Sequence, residues 1–216
     1  MEISLSKEQQ HVYDKYKQGK NVFITGPGGS GKTEIIRKIY NDALSVKKCV
    51  QVCALTGCAA ILLKCNAKTI HSWSGIGLGN GTVDQLIFKI KSNSYKKNCW
   101  RDVEILIIDE VSMMSLKLFD TLDAIGRAMK GNYALPFGGI QVIFSGDFYQ
   151  LPPVGNSQDM DTCKFCFESV DWIKTFSMDC QVQLVKIFRQ TDEVFASILN
   201  QIREGRIKNR NITCHA

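Results

Sequence analysis

The 216-residue sequence has no apolar run long enough to cross a bilayer, so no transmembrane helix and no membrane partner are expected. Its first twenty residues lack arginine and mix Glu2, Glu8 and Asp14 with four lysines, a composition that argues against a secretory or mitochondrial leader. A paired cysteine framework is missing too. Nine cysteines, an odd number scattered along the chain, suggest reduced thiols in an intracellular, reducing compartment rather than a disulfide scaffold. Nor is there a strong excess of one charge: 27 basic against 21 acidic residues leave +6, which suits a polyanionic partner without requiring one. What is present is 44% hydrophobic residues, enough for one good core, expected over 1–205 with a short tail over 206–216.

One stretch organises the rest. Gly26-Pro27-Gly28-Gly29-Ser30-Gly31-Lys32-Thr33 satisfies GxxxxGK[ST]. Before it, Val22 to Thr25 is a β-favouring run. After it, Ile35, Ile36, Ile39, Tyr40 and Ala43 recur at helical spacing, so the loop joins a strand to a helix. Glycines there allow φ > 0 and bring backbone N–H groups against a polyphosphate, which the following helix dipole also favours. Gly26, Gly28, Gly29, Ser30 and Gly31 are therefore expected to cradle a nucleotide such as ATP. Lys32 would neutralise β/γ-phosphate charge, and Thr33 would hold Mg²⁺.

Ser6 with Gln9 three residues later is a capping box opening a helix to about Lys17. Capping explains Gln9 by itself; reaching an adenine edge ahead of the phosphate loop explains it equally well. A second buried strand, Cys49 to Leu55, runs into Thr56-Gly57-Cys58-Ala59-Ala60, where Thr56 and the N–H groups around Gly57 either hold a nucleic-acid phosphate or simply make a tight turn. In Thr69-Ile70-His71-Ser72-Trp73 a hydrogen-bonding group lies beside an aromatic, the pairing that contacts single strands, although such pairs are more often core and surface. Gly75 to Gly81 holds four glycines and reads as a loop. Lys89 to Arg101 carries five basic residues, Tyr95, Trp100 and no acid; it reads as a solvated linker, or else as a strand-contacting insertion.

Ile105-Leu106-Ile107-Ile108 is the mark of a strand covered on both faces, and it ends in Asp109-Glu110. Beside a phosphate loop, Asp109 would bind Mg²⁺ and Glu110 would polarise the attacking water, which points to hydrolysis rather than binding alone. Met114, Leu118, Leu122, Ile125 and Met129 then predict a long amphipathic helix directly after Glu110. Ile140 to Phe144 predicts another strand, followed by Ser145-Gly146-Asp147-Phe148-Tyr149-Gln150-Leu151-Pro152-Pro153-Val154, in which Gln150 has the chemistry of a γ-phosphate sensor. Cys163 and Cys166 could pair with Cys214 and His215 as zinc ligands, but the two couples are unusually far apart and simple thiols are the better reading.

Taken in order, GPGGSGKT, LTGCAA, TIHSWSG, IIDEVSMM, SGDFYQLPPV and LVKIFRQ, the last spanning Leu184 to Gln190, resemble the superfamily-one helicases of the petite-integration-frequency (Pif) type over about residues 5 to 205. The resemblance implies an α/β, RecA-like P-loop NTPase fold, with a mainly parallel sheet sandwiched by helices. It also implies an ATP-hydrolysing enzyme, a DNA helicase moving 5′-to-3′ on single-stranded DNA in replication, repair or recombination. By the same resemblance Gln9 contacts adenine, Arg189 reaches the γ-phosphate as a catalytic arginine, and Thr56, Gly57, His71, Ser72 and Trp73 contact DNA. Tyr149 stands where a Phe is usual, and Pro27-Gly28-Gly29 varies the loop's usual small residues. Members also carry a second motor domain, and this sequence stops soon after Arg203. The resemblance therefore implies a first motor domain, monomeric, that binds nucleotide, hydrolyses it poorly alone and does not unwind processively. The rivals are a RecD-like or conjugative helicase and a non-catalytic DNA-binding or regulatory fragment; a P-loop kinase would have no use for SGDFYQLPPV and LVKIFRQ together.

Overall fold

The computed structural model describes residues 5–188 together with 198, 201, 203 and 205. Helix α1 (Lys7–Lys17) starts at the expected capping box, with the Gln9 backbone N–H donating to Ser6 Oγ at 3.2 Å and the Ser6 N–H donating to Gln9 Oε1 at 2.9 Å. The chain then runs through β1 (Val22–Thr25), α2 (Lys32–Ser45), β2 (Val50–Ala54), α3 (Gly57–Leu63), β3 (Lys68–Thr69), α4 (Ile70–Ser74), α5 (Val83–Ser92), α6 (Ser94–Asp102), β4 (Ile105–Asp109), α7 (Leu116–Lys130), β5 (Gln141–Ser145), α8 (Trp172–Thr175) and β6 (Gln181–Gln183). The strands form one six-stranded sheet in the order β3-β2-β4-β5-β1-β6. Each of its pairings is parallel.

Strand residues point alternately to the two faces, and the hydrophobic sequence fills both. Ile105 and Ile107 pack with α1, α2 and α3 residues such as Val12, Ile36 and Leu63, whereas Leu106 and Ile108 pack with Trp100, Phe119, Phe144 and Trp172 on the opposite side. Parallel strands need such double cover because each crossover lays helix on a face. The expected mainly parallel sheet between helices is therefore what forms.

Local expectations fail in two places. Residues 89–101 are not a linker: they belong to α5 and α6, capped by Thr82 and Asn93, and Trp100 lies wholly in the core. Lys89, Lys91, Lys97 and Arg101 are exposed and Lys96 is half-buried, so charge count alone concealed a 3.6-residue pattern anchored by Leu86, Ile90 and Trp100. The helix after Glu110 does not start there. Val111–Met113 make one 3-10 turn, Met114 is extended (ψ 123°), and Ser115 caps α7 by accepting the Leu118 N–H at 3.2 Å. Met114 is buried as core, but from outside the helix. Among the described residues the last strand is Gln181–Gln183, just ahead of the LVKIFRQ stretch.

Candidate nucleotide site and neighbouring grooves

The phosphate loop leaves β1 at the carboxyl edge of the sheet, where ligands of parallel folds sit. Gly26 has φ 144°, and a Cβ on it would lie 2.5 Å from the Leu184 carbonyl oxygen, so only glycine fits. Gly31 has φ 86° and opens α2 with no side-chain cap, which leaves first-turn N–H groups pointing into the cleft. A Cβ on Gly31 would collide with Gln9 Nε2, which instead donates to the Gly31 carbonyl at 3.2 Å. Gln9 is thus both capping residue and a buried brace of the loop, 4% exposed. Among the described residues the buried Ser30 hydroxyl finds no hydrogen-bond partner. Lys32 Nζ donates to the carbonyls of Gly26 (2.7 Å) and Pro27 (3.1 Å). Burial pushes its pKa down, opposed by the charges of Asp147, Asp109 and Glu110.

Those carboxylates come from the neighbouring strands. Asp109 ends β4 and is buried, which raises its carboxyl pKa against the Ser145 hydroxyl, the Glu110 backbone and Lys32. Glu110 follows in a left-handed conformation (φ 58°, ψ 38°), rare for a residue with a Cβ. That turn swings its side chain off the strand line, and burial plus the Asp109 charge raise its pKa. From β5 comes Gln150, whose Nε2 donates to Asp147 Oδ2 at 3.2 Å. Lys32, Thr33, Asp109, Glu110 and Gln150 line one cleft of about 500 Å³ with the loop glycines, and Phe188 closes it beside Gly31. The Phe188 N–H donates to the Gly29 carbonyl at 2.9 Å.

An uncapped helix start, an orphaned loop hydroxyl and a lysine suit a polyphosphate. Among the described residues no three His, Cys, Asp or Glu side chains gather as a metal site. One carboxylate with one hydroxyl, Asp109 and Thr33, is the sparse donor set Mg²⁺ takes when phosphate oxygens complete its shell.

The residues expected to touch DNA line two adjoining grooves, with Met113 in the wall of both. His71 lines a groove of about 480 Å³ with Leu78, Met113, Lys117, Pro153 and Val154. Thr56 instead borders a groove of about 720 Å³ that also includes Thr33, Glu110 and Gln150. Its hydroxyl accepts the Ala59 N–H, and the neighbouring Gly57 is exposed. Burial lowers the His71 pKa, so at neutral pH it offers a neutral imidazole. Ser72 is exposed. Trp73 corrects its expectation: 3% exposed, it packs on Trp100 at a ring distance of 4.8 Å and has no face left for a base. Cys166 is buried, and its thiol donates to the Val111 carbonyl, while Cys163 is exposed. Arg189, Cys214 and His215 lie outside the described residues.

Sequence reasoning missed Phe188, Asp147 and Arg203. Asp147 had a signal, a carboxylate three residues before Gln150; Arg203 had none, being brought to Asp147 by the fold.

A family model for PIF1-like helicases matches residues 4–213. The chain belongs to the PIF1-like helicase family. Among PIF1-like helicases, the ATP-dependent DNA helicase RRM3 of Saccharomyces cerevisiae is 41% identical over 208 residues, 95% of this chain and 28% of that protein. The crystal structure of Pif1 helicase from Candida albicans superposes with a TM-score of 0.86 at 40% identity, covering 96% of this chain and 45% of that one. Pif1 helicase from Bacteroides in complex with ADP-AlF3 and single-stranded DNA matches at TM-score 0.79 and 33% identity, covering 96% and 48%. The chain therefore spans between about a quarter and a half of these PIF1-like relatives. The α/β P-loop NTPase architecture is shared with both solved structures.

Proposed function

We propose that this chain is the ATP-hydrolysing first motor domain of a Pif-like helicase, translocating 5′-to-3′ on single-stranded DNA. The observation that carries the reading is the meeting of Lys32, Glu110 and Gln150 in one cleft at the carboxyl ends of β1, β4 and β5. Loop N–H groups and the α2 N-terminus bind the phosphates, and Lys32 draws charge from the γ-phosphate. Glu110, whose raised pKa marks a carboxylate able to take a proton, orients the attacking water. The Gln150 amide NH₂ donates to the terminal phosphate, and its carbonyl oxygen is free to accept from the attacking water. Thr33 and Asp109 would hold Mg²⁺, which when bound neutralises developing phosphate charge. The exposed ring of Phe188 is suited to the base, and Gln9 is assigned to adenine by the family resemblance. Arg189 is assigned to the γ-phosphate by the family resemblance.

For DNA, the groove at His71 and the exposed starts of α3 and α4, at Gly57 and Ser72, are the proposed contacts; the Bacteroides relative solved with single-stranded DNA supports that substrate. A monomeric working state and a reducing compartment are part of the same proposal. Steady-state ATP hydrolysis by residues 1–216, with and without single-stranded DNA, tests it. DNA-stimulated turnover abolished by Lys32→Ala and by Glu110→Gln is the expected sign of a working motor domain. Lys32-dependent nucleotide binding without turnover favours the second reading, a nucleotide- and DNA-binding half-motor. Absence of Lys32-dependent nucleotide binding would sink both.

A further inference from the structure

Gln150 is exposed, and its side chain is held by a buried carboxylate that the reaction itself does not need. Asp147 is 1% exposed, and both its oxygens are occupied. Oδ2 accepts from Gln150 Nε2 (3.2 Å) and Arg203 Nε (2.7 Å); Oδ1 accepts from Arg203 Nη2 (2.7 Å) and the Tyr149 N–H (3.3 Å). The guanidinium of Arg203 also lies 4.5 Å from the centre of the Tyr149 ring. One arginine, 56 positions along the chain from Asp147, therefore grips the 147–150 turn at its carboxylate and at its aromatic.

We propose that Arg203 and Asp147 are positioning residues for γ-phosphate sensing: their bidentate pair holds Gln150 toward the nucleotide cleft and ties that sensor to Arg203. The inference rests on the motor-domain reading above and adds a route out of its ATP site. The geometry favours a built device over a surface ion pair. Two parallel charge-assisted bonds fix both the orientation and the distance of the guanidinium, and the pair is nearly dry, with side-chain exposures of 13% and 1%. The Arg203 guanidinium also holds the Asp147 carboxyl below its ordinary pKa, followed by the Gln150 amide and the Tyr149 N–H, against the opposing effect of burial. Without Arg203 the buried carboxylate would lose its bidentate cationic partner and with it the fixed orientation that holds Gln150. Displacing Arg203 then alters sensing, and by linkage a bound γ-phosphate favours the Arg203–Asp147 pair.

The test measures dissociation constants of the 216-residue chain for ADP and for ATPγS, by competition against a fluorescent ADP, in wild type and in Arg203→Ala, Arg203→Lys, Gln150→Ala and the Arg203→Ala/Gln150→Ala double variant. Wild type is expected to prefer the triphosphate. Arg203→Ala should lose that preference by roughly tenfold with ADP affinity kept within about twofold, and Arg203→Lys, which keeps charge but not the fork, should recover only part of it. In the Gln150→Ala background, Arg203→Ala should change the ratio no further, because coupled residues are not additive. An unchanged ratio in Arg203→Ala, equal weakening of both nucleotides, or additive effects would overturn the proposal. No triphosphate preference in wild type, with Lys32-dependent ADP binding intact, would overturn it while leaving nucleotide binding standing. No Lys32-dependent binding would instead remove the motor reading beneath it.

Discussion

At the scale of single residues, Glu110 combines a left-handed backbone, half-burial and a carboxylate neighbour. Each feature costs stability and serves chemistry, the usual pattern where strain collects at a working site. Glu110→Gln should lower kcat about 10²–10⁴-fold, the range for loss of a general base, while fluorescent nucleotide still binds. The same variant should melt at a higher temperature than wild type at neutral pH. The folded pKa of Glu110 is raised, so its ionised form destabilises the fold above that value; below the ordinary value of 4.5 the carboxyl is protonated in both states and the cost disappears. Melting curves taken from pH 7.5 down to pH 4 should therefore converge, and a constant offset would assign the effect to packing. Lys32, Thr33, Asp109, Glu110 and Gln150 were all legible in the sequence, because loop spacing and strand ends dictate their positions. Trp73 was not. An indole two residues after a histidine reads the same whether it faces solvent or core, and only its partner Trp100, on another helix, decides.

At the scale of elements, helix starts and loop braces carry the local stability. Ser115→Ala removes the α7 cap and should cost about 1 kcal/mol in urea denaturation with nucleotide affinity unchanged, since α7 packs away from the phosphate loop. Trp73→Ala should cost roughly 3–5 kcal/mol, because it empties the contact between α4 and α6 that Trp100 Nε1 completes by donating to the Ser74 carbonyl. Trp73→Phe should keep single-stranded DNA affinity, measured by anisotropy, close to wild type; a large loss there at full folding would restore the indole as a DNA contact. The α5 and α6 pair escaped the sequence because basic side chains on an exposed face and a solvated linker share a composition. Their caps at Thr82 and Asn93 were the available signal.

At the scale of the molecule, one sheet with two covered faces gives a rigid edge on which loop, carboxylates and sensor meet. The 216-residue chain is expected to bind nucleotide through Lys32, at the sheet edge where the cleft forms, so Lys32→Ala should lose fluorescent-ADP binding measured by anisotropy. Undiminished binding by that variant would overturn the assignment of this edge to phosphate. By itself the sequence determined the parallel α/β class, the phosphate loop and the order of the motifs. These follow from local rules: periodicity, glycine at a strand-to-helix turn, carboxylates at a strand end. Tertiary structure alone decided which aromatics are core, that Thr56 and His71 border different grooves, that Gln9 braces Gly31, and that Arg203 reaches Asp147. Such contacts join residues far apart in the chain, and nothing in either partner's neighbours encodes the other; packing of the helices against the sheet brings them within bonding distance.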